Sequence, residues 1–122
     1  MRECGDYTFE GAMAAARRLL LAENRPDAIS CANDTMALGA ISVARHEFGL
    51  DVGRAVSIAG YDDVPMAAWP TSSLTSYSQP AASMVNETVR LIARLRSDLA
   101  DHAHIVTPGT LVIRSSTRPA QG

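Results

Sequence analysis

The junction at residues 28–39 constrains this chain more than any other feature. Ala28-Ile29-Ser30-Cys31-Ala32 is a short run of small and apolar residues, the pattern of a strand buried in a parallel sheet. Met36 to Phe48 then carries an alanine-rich apolar pattern at helical spacing, stopped by Gly49. Between strand and helix stand two short polar side chains, Asn33 and Asp34. In an open α/β sheet, ligands bind where the carboxyl end of a strand passes into a helix. The same residue types lead the preference for helix N-caps, and spacing alone favours a cap at Asn33 or Asp34 over a binding site.

The alternation of strand and helix extends along the chain. Thr8 predicts an N-cap with Glu10 in the first turn, and Ala12, Met13, Ala16, Leu19 and Leu20 keep the helical period. Arg17 and Arg18 fall on the other side, and Asn24 with Pro26 ends this helix. Val56-Ser57-Ile58-Ala59-Gly60 predicts a second strand, followed by Tyr61-Asp62-Asp63. A loop holding Pro65 and Pro70 leads to a third strand at Leu74-Thr75-Ser76-Tyr77-Ser78. From Pro80 a third helix places Met84, Val85, Thr88, Val89, Ile92, Leu95 and Leu99 on one broad face, with Arg90, Arg94 and Arg96 off it. Residues 104–107 and 111–117 predict one or two strands broken by Pro108-Gly109, and residues 118–122 a tail. Such alternation predicts an α/β fold with a parallel sheet. The chain opens on a turn and a helix with no strand before them, which reads as the second part of something larger.

Composition excludes several chemistries. With 122 residues, 47% apolar and 20% charged, the chain suits one modest domain with a real core. Its net charge of -2 supplies no electrostatic footprint for DNA. All eleven basic residues are Arg. The absence of Lys removes a Walker-type phosphate loop, a Schiff-base mechanism and the lysine of a phospho-receiver site. No G-x-S-x-G elbow occurs, His46 falls late on a helix, and His102 with His104 lacks further metal ligands. Neither an enzyme, a metal site nor a cofactor is therefore expected. Cys4 and Cys31 make no disulfide framework, and Cys31 in a buried strand behaves as a small apolar residue. No signal-peptide core and no membrane-length apolar stretch occurs, so the expectation is a reduced, cytoplasmic chain off the membrane.

Further positions invite a functional reading beside a plain one. Asp62-Asp63 follows a strand, where a carboxylate suits a polyhydroxylated or amine-bearing ligand; it is equally good turn chemistry. Tyr7 lies in a loop before a helix, where its ring is either a flat wall over a ligand or a hydrophobic staple. Trp69, in the apolar loop Pro65-Met66-Ala67-Ala68-Trp69-Pro70, fits packing or a protein–protein contact, and Met66 shares that segment.

Taken in order, Ala32-Asn33-Asp34-Thr35-Met36-Ala37-Leu38-Gly39-Ala40, Val56-Ser57-Ile58-Ala59-Gly60-Tyr61-Asp62-Asp63, Leu74-Thr75 and Val112-Ile113-Arg114-Ser115-Ser116-Thr117 carry a resemblance. The chain resembles the C-terminal part of lactose/galactose-repressor family transcription regulators, over nearly its whole length. In that family a helix-turn-helix domain binds operator DNA, and a two-lobed sensor of periplasmic-binding-protein type binds a small effector, commonly a sugar. The resemblance implies a partial type I lobe over residues 1–78, a crossover segment over 79–107 whose helix belongs to the other lobe, and a return strand and tail over 108–122. It assigns Tyr7, Asn33, Asp62 and Gln79 to the effector, with Asp34 bracing or capping the helix start. It also implies a homodimer, DNA contact only through a domain missing here, and an allosteric mechanism of population shift. The alternative bearing the same fold is a sugar-binding protein of a transport system. With most of the first lobe absent, the expectations are weak effector binding by this chain alone and self-association through the helix near residues 80–98.

Overall fold

Thr8 starts the first helix as the sequence predicts: its backbone is extended and its hydroxyl accepts from Gly11 N at 3.0 Å. The computed structural model describes residues 1–95 and 105–119. Their elements run α1 (Phe9–Leu21), β1 (Ala28–Ser30), α2 (Asp34–His46), β2 (Ser57–Asp62), β3 (Thr75–Ser78), α3 (Ala81–Leu95) and β4 (Thr110–Val112). The strands form one sheet in the order β1-β2-β3-β4, with β1–β2 and β2–β3 parallel. The expected mixed α/β architecture with a mostly parallel sheet is what the chain adopts.

Small side chains set the packing. Ala12, Ala15 and Ala16 of α1 and Ala37, Ala40 and Ala44 of α2 are all buried, so the two helices approach closely. The α2 face then covers the sheet, where Val56, Ile58 and Leu74 are fully buried. An Arg17–Glu47 pair, bonded at 2.6 and 2.7 Å, ties α1 to the C-terminal end of α2. Their mutual hydrogen bonding raises the guanidinium pKa and lowers the carboxyl's.

The C-terminal segment does something the sequence does not announce. Residues 111–117 were expected as strand, yet β4 stops at Val112. Beyond it, Ser116 is driven between β2 and β3 just below their first paired residues, Ala59 and Thr75. Its hydroxyl donates to Ile58 O at 2.6 Å and accepts from Thr75 N at 2.8 Å. Its carbonyl accepts from Ile58 N at 2.8 Å. Ser116 thus satisfies backbone groups that a continuous ladder would have paired, and a regular strand is not needed there. Gly53 accommodates the neighbouring turn: its φ is +94°, and a Cβ there would lie 2.0 Å from Ser115 O.

One other expectation is corrected: residues 105–107 form no strand. The expected loop after β2 contains a 3₁₀ turn at Pro65–Ala68, closed by Trp69 N donating to Met66 O. His102, His104, Arg96 and Leu99 lie outside the described residues. By contact the chain divides into two compact units, Met1–Ser78 with Leu111–Gly122, and Gln79–Thr110. The second unit holds α3, which leaves Met84, Val85, Val89 and Ile92 exposed.

Candidate functional site

The carboxyl ends of β1 and β2 bring two of the candidate residues, Asn33 and Asp62, to one edge of the sheet. Ser30 pairs with Ala59, so Asn33 and Asp62 each stand three residues beyond a matched position on neighbouring strands. Asn33, and not Asp34, is the N-cap of α2: its extended backbone turns Oδ1 to accept from Met36 N at 2.8 Å. The cap consumes the amide oxygen and leaves the Nδ2 group as the hydrogen-bond donor that Asn33 can offer to a ligand. Cap and binding residue are therefore compatible roles for one side chain.

Asp34 is fully buried and works as a brace. Its Oδ1 accepts from Ser76 Oγ at 2.6 Å and its Oδ2 from Val64 N at 2.9 Å. Ser76 Oγ in turn accepts from Asp63 N at 3.1 Å. One carboxylate at the start of α2 thereby fixes the turn that follows β2, thirty residues later. Gly60 makes room for it, since a Cβ there would lie 2.2 Å from Asp34 Oδ1. From the other side, Arg114 places Nη2 2.8 Å from Asp63 Oδ1 and donates through Nη1 to Leu74 O at 2.7 Å. Asp63 lies in the turn, as one of its two readings has it, and is also half of a largely buried ion pair.

These braces hold a backbone that resists its own conformation. Asp62 and Asp63 have φ of +112° and +54° in succession. Such angles cost on the order of 1–3 kcal/mol each for residues with a side chain, and they persist where surrounding bonds overdetermine them. Tyr7 shows the same sign, with φ +57°, and its ring is exposed. The Asp62 side chain is exposed at the end of β2, beside a stacked pair of rings, Tyr61 and Tyr77, with centroids 5.2 Å apart.

Of the residues singled out from sequence, Asn33 and Asp62 share the strand-end edge. Tyr7 lies along a cavity with Cys31 and Ala32, the residues just before Asn33. Gln79 opens the second unit, with its carbonyl accepting from Ala81 N at 2.9 Å. Met66 and Trp69 are exposed and rim a groove of about 200 Å³ with Leu38, Ile41 and Arg45. Ser76 and Arg114 were missed, because nothing local in the sequence links them to the turn they hold. Cys31 is a free thiol, pushed up to about 11 by burial and, secondarily, by the charge of Asp34; Cys4 is free and exposed. No group of three or more His, Cys, Asp or Glu residues able to hold a metal occurs among the described residues.

A strand-end edge with an amide, a carboxylate and a ring nearby is a geometry for small polar ligands, and comparison with known proteins gives it a family. The model of the periplasmic binding protein-like domain matches residues 2–117. The chain belongs to the periplasmic binding protein-like domain family. Among relatives of this domain, it is 41% identical over 117 residues to the HTH-type transcriptional regulator MalR of Streptomyces coelicolor, covering 95% of this chain and 33% of that protein. It is 33% identical to the HTH-type transcriptional repressor CytR of Escherichia coli over 93% of this chain, again 33% of that protein. The chain thus spans about a third of the length of the curated relatives it matches. Its fold superposes on a LacI family transcriptional regulator from Bifidobacterium animalis with TM-score 0.87 and 33% identity, covering 95% of this chain and 42% of that one. It matches a transcriptional regulator CelR–cellobiose complex with TM-score 0.81 and 34% identity, covering 92% of this chain and 34% of that one. The expected resemblance to this regulator family holds, and the curated relatives named above are transcriptional regulators.

Proposed function

We propose that this chain is the effector-binding and dimerising portion of a ligand-responsive bacterial transcriptional repressor, and that it binds without catalysis. The carrying observation is 41% identity to a transcriptional regulator over 95% of the chain. The reading gives residues 1–78 to one lobe, 79–107 to a crossover whose helix serves the other lobe, and 108–122 to a return strand and tail. The effector is a sugar or similar small polar molecule, the class that the CelR–cellobiose complex exemplifies. Asn33 donates to it through Nδ2, Asp62 accepts from its hydroxyls, Tyr7 walls it and Gln79 completes the polar set. The exposed Met66 and Trp69 groove is the homodimer contact, and DNA is reached only through a helix-turn-helix domain outside these residues. No helix among the described residues is long and apolar enough to cross a membrane, and the reading is cytoplasmic.

The mechanism is a shift between two lobe arrangements. An effector that bonds Asn33 and Asp62 more strongly in one arrangement favours it by its differential affinity and no more. The braced Asp62–Asp63 turn contributes by holding the carboxylate in place before the ligand arrives, so that less is lost to ordering on binding.

The test replaces the matching third of the Streptomyces coelicolor relative with residues 2–117 of this chain and screens mono- and disaccharides, cellobiose included, by thermal shift. At least one sugar raises the Tm of the chimera, and Asn33→Ala or Asp62→Ala removes that rise while the unliganded Tm stays within a few degrees. A panel without any shift, or a shift indifferent to both substitutions, refutes the reading.

A further inference from the structure

The chain leaves its first compact unit after Ser78 and re-enters it at Leu111. β3 and β4, neighbours in the sheet, make those two crossings. The turn that carries Asp62 is gripped by one side chain from each. Tyr77, just before the last residue of the unit, pairs with Tyr61 in the β2–β3 register. Its ring stacks on that of Tyr61, with centroids 5.2 Å apart and planes 16° from parallel. Arg114, shortly after the return at Leu111, places Nη2 2.8 Å from Asp63 Oδ1, and the two side chains are only 18% and 19% exposed. Ser78, at the crossing, is matched to Asp62 itself.

The crossing strands are also stitched to each other beneath the turn. Thr75 Oγ1 donates to Arg114 O at 3.0 Å and accepts from Arg114 N at 2.9 Å, while Arg114 Nη1 donates to Leu74 O at 2.7 Å. A shift of Arg114 therefore drags on β3, and a shift of either strand pulls at Tyr61 or Asp63, the residues on both sides of Asp62. The Asp62 backbone is suited to register that pull. Its φ is +112° and that of Asp63 is +54°. For residues with a side chain the alternative is the broad negative-φ region, which is reached by a jump and not by gradual bending. Held at both flanks, the turn keeps the strained state; released at either, it moves toward the ordinary one. Asp34 and Ser76 tie the turn from within the unit, whereas Tyr77 and Arg114 tie it to the strands that lead out.

We propose that Asp62 couples the effector site to the two crossing strands, with Tyr77 and Arg114 as the positioning residues that carry the coupling. The effector half of this statement rests on the function proposed above; the link between turn and strands stands without it. By linkage the dependence is reciprocal: an effector that fixes Asp62 steadies β3 and β4, and a displacement of either strand changes the grip on the effector.

Amide hydrogen exchange in the 122-residue chain reads the coupling without a ligand. Asp63 N, donating to Ser76 Oγ, and Val64 N, donating to Asp34 Oδ2, report the turn. Ser57 N and Cys31 N, donating to Asp27 O and Ala59 O, report the β1–β2 ladder as a control. Tyr77→Leu and Arg114→Lys each remove one tie; the lysine keeps a charge for Asp63 but lacks the fork that also reaches Leu74 O. Each variant speeds the turn amides about tenfold and leaves the ladder amides within about twofold. Asp63→Asn, made in the turn, speeds exchange at Arg114 N in the crossing strand. Equal acceleration of turn and ladder amides shows residues that only stabilise the fold, and overturns the proposal; so do turn amides that do not respond. Should Arg114→Lys not fold, Tyr77→Leu carries the same comparison. In the chimera, with the same mono- and disaccharide panel, both variants need about tenfold more sugar for an equal rise in Tm. Turn amides that respond while the sugar response does not change leave the coupling of turn and strands standing and refute Asp62 as an effector residue.

Discussion

Replacing Asp34 by Asn tests whether the buried carboxylate is the brace of the strand-end turn. The substitution keeps the shape and removes the charge. Val64 N and Ser76 Oγ both donate to the carboxylate, at 2.9 and 2.6 Å. An amide offers one oxygen. With that oxygen on Val64 N, the NH₂ group faces Ser76 Oγ, whose proton loses its acceptor. Ser76 Oγ already accepts from Asp63 N, so the hydroxyl has no free rotation into a new partner without breaking that bond. One charge-assisted hydrogen bond is lost at a fully buried site, worth about 2 kcal/mol. With a urea m-value of about 1.5 kcal/mol/M for a domain of this size, the unfolding midpoint falls by about 1.3 M. Ser76→Ala alone costs about 1.5 kcal/mol, and the double mutant costs at least 1 kcal/mol less than the sum, since the two share one bond. Equilibrium urea titration followed by Trp69 fluorescence and far-UV circular dichroism measures all four chains. A midpoint for Asp34→Asn within 0.3 M of the parent, or strict additivity with Ser76→Ala, refutes the brace.

Gly60→Ala places a methyl 2.2 Å from Asp34 Oδ1 and 3.1 Å from a Leu74 methyl, and thermal unfolding should record a loss of about 3 kcal/mol. Asn33→Ala removes the α2 cap and costs about 1 kcal/mol in the same assay, a value that stays the same with or without effector in this chain. Thiol labelling at pH 8 modifies exposed Cys4 at least tenfold faster than Cys31, and the two rates converge as pH approaches 11. Because the folded Cys31 thiol holds its proton more tightly than an ordinary thiol near 9.0, its share of stability is full below pH 9 and lost between 9 and 11; urea titrations at pH 8 and 10.5 check the direction.

Much of the architecture is written locally. Thr8, Asn24 and Pro26 punctuate α1, and the small-residue runs before Asn33 and Tyr61 mark strands, because caps and turns leave short-range patterns; the burial expected of the first run is corrected, since β1 is an edge strand with Ala28 and Ser30 exposed. Asn33 and Asp34 show where that legibility ends. Both residue types cap helices equally well, and the choice is made by Ser76, 42 positions away, which draws Asp34 inward and leaves the cap to Asn33. The same limit hid Ser116. A run of β-branched and hydroxyl residues at 111–117 predicts a strand, and only the unpaired backbone of Ile58 and Thr75 tells Ser116 to act as a wedge instead. The positive φ of Tyr7 has no sequence mark at all, since tyrosine does not favour it.

The Ser116 wedge also sets a timetable. Ile58 presents its N–H and C=O to a residue made 58 positions later. At about 5–20 residues per second, roughly 3–12 seconds of synthesis separate the two. During that interval the lower end of the β2–β3 pair is open, with the backbone groups of Ile58 and Thr75 that Ser116 later satisfies still without that partner. The β2–β3 pair of the first unit is therefore completed only once Ser116 has been made, and its exposure to the cell is greatest before then.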